Sequence, residues 1–248
     1  MSSDRPIRLW SLVVERACGQ PAALEHVAAA VIIAAGVDAV AVAVTLTPAR
    51  ETVYVSDDVA AAMQDLTLTL GEGPSVDAAT GGPSLGADLE EAGCLARWPI
   101  FAPAAAEAGI LAAFALPLRV GAIRLGVMDL YRAAPGVLDD SALADALFLA
   151  DLACALLLDS ARPDVDGRVP EQAASHHPEV HQATGMITVQ LGVTAAVALI
   201  RLRAYAYSAG RGLREVAGDV VSRKLRFAPE RDDPLDEPGA APDPLRRG

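Results

Sequence analysis

Residues 180–227 read VHQATGMITVQLGVTAAVALIRLRAYAYSAGRGLREVAGDVVSRKLRF, and three helical periods run through them. Val180, Ala183, Ile187 and Leu191 recur at the spacing that collects apolar side chains on one side of an α-helix. The pattern predicts a first helix over His177–Leu191, with Pro178 suited to its first turn and Glu179 favourable beside the N-terminal dipole. Thr194 is a natural N-cap for a second helix over Ala195–Ala209, whose Ala195, Ala198, Leu199, Leu202 and Ala206 share a face. Gly210 suits the left-handed residue that ends it. A third helix is expected from Leu213 to Leu225, with Leu213, Val216, Ala217, Val220 and Val221 aligned. Three short amphipathic helices with tight turns can share one core. Gly185 interrupts the first helix at a cost of about 1 kcal/mol relative to Ala, which implies either close approach of another backbone or plain tolerance.

Charge sets this segment apart. The whole chain of 248 residues carries a formal −12, which by itself argues against a polyanion partner. Residues 176–227, however, hold Arg201, Arg203, Arg211, Arg214, Arg223, Lys224 and Arg226 against Glu179, Glu215 and Asp219, a local +4. A basic segment in an acidic chain is a local electrostatic footprint, and its acidic surroundings discourage indiscriminate binding to polyanions.

Working outward, residues 161–172 (ARPDVDGRVPEQ) concentrate Pro, Gly and charge as a linker does. The predicted order is an N-terminal extension (1–19), a first domain (20–160), a linker (161–174), the three-helix module (175–227) and an acidic, Pro-rich tail (228–248). Too few large apolar residues lie in that tail to offset ordering entropy, so it is expected to be disordered.

Within the first domain a helix is expected over Leu24–Ala35, then strands over Ala39–Leu46 and Thr52–Ser56 forming a hairpin. A short helix over Val59–Asp65 follows, and then a Gly- and Pro-rich loop containing a short helix and strand. Strands over Ala112–Arg119 and Leu125–Tyr131 and an apolar helix over Leu143–Leu158 complete the pattern. Antiparallel strand pairs flanked by helices indicate an α+β fold. Aromatics are only 4% of the chain, so Ala, Val and Leu must build the core.

Several function classes find no support. No uncharged apolar run reaches the roughly 18 residues of a membrane span, and the N-terminus lacks the pattern of a signal peptide. Three scattered cysteines, Cys18, Cys94 and Cys154, provide neither a disulfide framework nor a metal motif, which fits a reducing cytoplasm. His177 and His181 stand four apart, but no Cys or carboxylate is placed to complete a metal site. His26 lies on an apolar helix and reads as an ordinary helix residue, not as a haem ligand. Cys94 beside Gly93 could be a redox thiol or an incidental cysteine. LGEGPS, at 70–75, lacks the Lys of a phosphate-binding loop, and no nucleophile–base pair or paired carboxylates appear. Neither an enzyme nor a cofactor is therefore expected.

Two family resemblances follow. Residues 20–158 resemble a GAF domain, carried by AVAVTLTPARETVYVSD (41–57), LGEGPSVDA (70–78), the Trp98–Pro99 pair and FALPLRVGAIRLGVMDLY (114–131); the GEGP segment with such a strand pair is similar to actinobacterial members. This implies a cupped antiparallel sheet with a small-molecule pocket, filled or empty, whose ligand is unknown. The C-terminal stretch resembles the ANTAR domain through Gln182–Ala183, Gly185–Met186, Ala198, Leu202–Arg203, Ala206, Leu213, Val216–Ala217 and Val220–Val221. That resemblance implies binding to paired, small-looped hairpins in nascent leader RNA, preventing a terminator from forming. Where the family commonly carries Lys, this chain has Thr184, which removes a phosphate-seeking charge.

Hairpin loops expose bases that stack on aromatic or guanidinium planes, while cations neutralise phosphates. The expected RNA-binding set is Thr184 at the family's lysine position, Arg203 and Tyr207 for the loop, and Arg211 and Arg214 for the backbone. The alternatives are that Arg203 is merely solvated and that Tyr207 packs on the third helix. Arg223, Lys224 and Arg226 read as C-terminal dipole partners. A homodimer is expected, through the 143–158 helix or the module's first helix, since two copies most simply read two hairpins. The competing reading is a ligand-sensing or dimerising module without specific RNA binding.

Overall fold

The computed structural model describes residues 4–46, 49–160 and 178–228. The expected linker and nearly all of the expected tail, with His177, lie outside them.

A period of two in the central strands decides how the first domain is layered. β1 (Ala39–Leu46) sends Val40 and Val42 to one side of the sheet and Ala39 and Ala41 to the other. It pairs antiparallel with β2 (Ala49–Val55) and with β5 (Ile123–Arg132). β5 pairs with β4 (Ala112–Val120), and β3 (Ser84–Gly86) closes the edge, giving the order β2-β1-β5-β4-β3. A register shift at Val42/Ala43 interrupts the first hairpin.

The Val40 face is covered by α1 (Asp4–Ala17), α2 (Leu24–Ala35) and α7 (Asp140–Ser160). Leu9, Val13, Val31, Leu116, Leu130 and Leu149 fill that layer. The segment expected to be only an N-terminal extension is thus a helix whose Leu9 and Val13 belong to the core. Arg5 and Arg8 of α1 both pair with the buried Asp145 of α7, Arg5 at 2.8 Å. α7 is long and apolar enough to cross a membrane by length and composition alone; here its Ala146, Leu149, Ala153 and Cys154 lie in the core.

The opposite face carries α3 (Asp58–Leu70), α4 (Pro74–Thr80), α5 (Ala92–Arg97) and α6 (Phe101–Glu107), with Met63, Trp98, Phe101 and Tyr131 buried between. The GEGPS run, predicted as loop, is a stitch between these helices. Gly71 (φ 66°) ends α3 in the left-handed region. Glu72 Oε1 accepts the Ile100 and Phe101 amides, both at 2.9 Å, where α6 begins. Gly73 (φ 122°) lies so close to Phe101 that a Cβ would come within 2.9 Å of its ring. Pro74 opens α4 with its φ preset for a helix and no amide to satisfy.

α8 (Pro178–Leu191), α9 (Ala195–Ser208) and α10 (Leu213–Val221) form the C-terminal module around Val180, Ala183, Ile187, Leu199, Leu202 and Val216. The faces are those predicted from periodicity. Thr194 Oγ1 accepts the Val197 amide, and Gly210 (φ 61°) follows α9, with Arg211 N donating to Ala206 O at 2.9 Å. Phe227 packs edge-on against Tyr205, and its amide donates to Gln190, which ties the end of the module back onto α8.

Replacing Glu72 by Ala should destabilise the first domain by about 1–2 kcal/mol, the cost of losing a helix cap. Urea unfolding of the full chain reads this as a lower midpoint with an unchanged slope.

Candidate nucleic-acid interface

The exposed side of α9 and the start of α10 carry the candidate residues. Tyr207 is 58% exposed. Arg211 is held by its neighbours: Nε donates to Glu215 at 2.9 Å and Nη2 to Asp219 at 2.7 Å. These bonds, Glu215 first, raise its already high pKa. Arg214 donates to Glu179 of α8 at 3.1 Å and lies 3.7 Å from Asp65 of α3.

Arg203 is half-buried and not simply solvated. Its Nε donates to the Leu68 carbonyl of α3 at 2.9 Å, and its guanidinium fills the space beside Gly71, where a Cβ would come within 2.7 Å of it. The sequence placed Arg203 and Tyr207 side by side on a helix surface; the structure keeps that arrangement but turns Arg203 toward the first domain.

Thr184 does not join this surface. Its side chain is buried, 5% exposed, and its hydroxyl donates to Val180 O at 2.7 Å within α8. The expectation that Thr184 touches RNA is therefore corrected: a short hydroxyl at an inward position satisfies a carbonyl of its own helix. Among the described residues nothing lies within 4 Å of a Cβ built on Gly185, which favours tolerance over close backbone approach.

The sheet face beneath α3 holds a second polar constellation. Asp129 of β5 is 1% exposed and accepts from Gln64 Nε2 at 2.8 Å and Ser75 Oγ at 2.6 Å. Gln64 also donates to the Tyr131 hydroxyl at 2.9 Å, and its Oε1 accepts from Thr52 at 3.3 Å. Thr67 Oγ1, also on α3, is buried with no hydrogen-bond partner among the described residues. A cleft of about 510 Å³ bounded by Leu89, Glu90, Leu95, Pro103, Ala106 and Glu107 shares no residue with this cluster. Cys94 is half-buried, and burial pushes its thiol pKa up, against the thiolate a redox sensor needs. His26 Nδ1 accepts the Ala23 amide at 3.1 Å, a helix-start role. Among the described residues no group of His, Cys, Asp and Glu could hold a metal.

The ANTAR domain family model matches residues 171–221, and the three-helix module is an ANTAR domain. That family consists of RNA-binding antiterminator regulators. No curated protein matches the chain. Similar solved structures include the GAF domain of a phosphoenolpyruvate-protein phosphotransferase from Coxiella burnetii (14% identity, covering 64% of this chain and 96% of that one, TM-score 0.46). The chromophore-binding domain of a bacteriophytochrome from R. palustris is 12% identical over 63% of this chain and 61% of that one, with TM-score 0.41. Escherichia coli SdiA is 13% identical over 89% and 99%, with TM-score 0.44.

Gly185→Ala should stabilise the module by about 0.5–1 kcal/mol, because the site is helical and open. Thermal unfolding followed at 222 nm reads it as a higher Tm.

Proposed function

We propose that this protein is a signal-responsive regulator that binds hairpins in nascent leader RNA and prevents transcription termination. The observation that carries the reading is the ANTAR domain at 171–221, to which we assign Arg203, Tyr207, Arg211 and Arg214 as the RNA-contacting residues. An exposed tyrosine offers a stacking plane for a loop base, and three guanidiniums offer planar donors to phosphate. All three are occupied within the protein, so RNA phosphate must displace carboxylate or carbonyl partners, which favours a shaped RNA target over any polyanion.

The same reading assigns the GAF-like domain to sensing a small molecule, and the cytoplasm, where nascent transcripts are made, as its place of action. It also includes a homodimer. Ile7, Trp10 and Val14 make an exposed apolar stripe along α1, with the exposed Ile33 on the neighbouring α2, a surface on which a second copy can dock.

Gel shifts with a leader RNA carrying two small-looped hairpins test the reading. The full chain should retain that RNA in preference to duplex DNA, Arg203→Ala should weaken it, and Arg214→Ala should lower the salt slope by roughly 1. Equal retention of RNA and DNA, or affinity no higher than nonspecific background at physiological salt, would sink it.

A further inference from the structure

We propose that the docked first domain holds the RNA-binding surface shut, with the C-terminal turn of α3 occupying Arg203 in place of RNA phosphate. The inference rests on the functional reading above and adds its regulation.

The contact is a reciprocal cap between two helix ends. The last carbonyls of a helix have no partner within it and form the negative end of its dipole. At the end of α3, Leu68 O receives the Arg203 guanidinium. The first amides of a helix are likewise unpartnered, and α10 begins after Gly212, which has no side chain to cap them. Thr69 supplies that cap from outside: the Leu213 amide donates to its hydroxyl at 3.1 Å. Leu68, between these two polar contacts, is only 7% exposed and belongs to the apolar core of the ANTAR module, not to that of its own domain. Asp65, one turn earlier, faces Arg214. Three residues on one side of α3 therefore engage two arginines of the RNA surface and the start of α10.

The same buried stripe of α3 reaches the polar cluster one turn earlier. Gln64, four residues before Leu68, is bonded to Asp129 and Tyr131 on the sheet. A single helix thus rests on the polar floor of the first domain at Gln64 and on the ANTAR module at Leu68. Whatever shifts α3 from that floor moves Leu68 and its carbonyl together. Because docked α3 and RNA compete for Arg203, each lowers the affinity of the other.

Fluorescence anisotropy of the full chain with a labelled pool of two-hairpin RNAs of randomised loops tests this. Leu68→Glu puts a carboxylate into the contact and Thr69→Val removes the external cap. Both are expected to bind RNA more tightly than the parent, Leu68→Glu by about tenfold, although its added negative charge alone would act the other way. Arg203→Ala in the Leu68→Glu background should abolish the gain. If either release variant, shown folded by circular dichroism, binds no tighter while Arg203→Ala still weakens the parent, the gate is overturned and the RNA reading stands. If no variant binds RNA, both fall. Thr69→Val is isosteric and half-buried, so it keeps the test valid should Leu68→Glu unfold.

Discussion

The end of α3 is the constraint on which the arrangement depends. Gly71 stops the helix in a conformation that L side chains avoid, and by lacking a Cβ it leaves room for Arg203. The same turn exposes the Leu68 carbonyl and delivers Glu72 to the start of α6. One glycine therefore fixes the tip of α3, the placement of α6 and the seat of an arginine from the other module. The energies involved are individually small, about 1 kcal/mol net for an ordinary hydrogen bond and less for an exposed ion pair such as Asp65–Arg214. A contact of this size can be both populated and reversible.

The two halves keep separate cores. The sheet domain packs Val, Leu and Phe against α1, α2 and α7 on one side, and a smaller aromatic layer under α3 and α6 on the other. The ANTAR module has its own cluster, to which Leu68 is the first domain's contribution. That leucine is where the sheet domain enters the module's core: the contact is side-on, through α3. Buried polar groups such as Asp129 and Gln64 are costly to leave unsatisfied, so rearrangement under α3 has a ready consequence for Leu68, one turn further on.

Much of this was legible in the sequence because periodicity reports local burial. The inward faces of α8, α9 and α10, the Thr194 cap, the turn at Gly210 and the antiparallel strand pairs all follow from spacing and turn chemistry. What escaped was nonlocal. The run Asp65 to Leu70 alternates polar and apolar residues, and the expected helix stopped at Asp65; it continues to Leu70, where the sheet, α9 and α10 pack against α3. Leu68, in helical phase with Ala60, Met63, Gln64 and Thr67, was the available signal that the helix runs on past Asp65. Thr184 was expected outside because a family lysine marks that position, yet its helical phase with Val180 and Ile187 points inward. Arg203 was placed correctly on α9, but its partner carbonyl is 135 residues away in the chain, beyond the reach of any pattern.

The most direct measurement is photocrosslinking of the full chain to a two-hairpin RNA, with the attached peptides identified by mass spectrometry. The account predicts attachment within α9 and the start of α10, centred on Tyr207, and none on the sheet domain. Attachment confined to the sheet domain, or spread evenly over the chain, would contradict it.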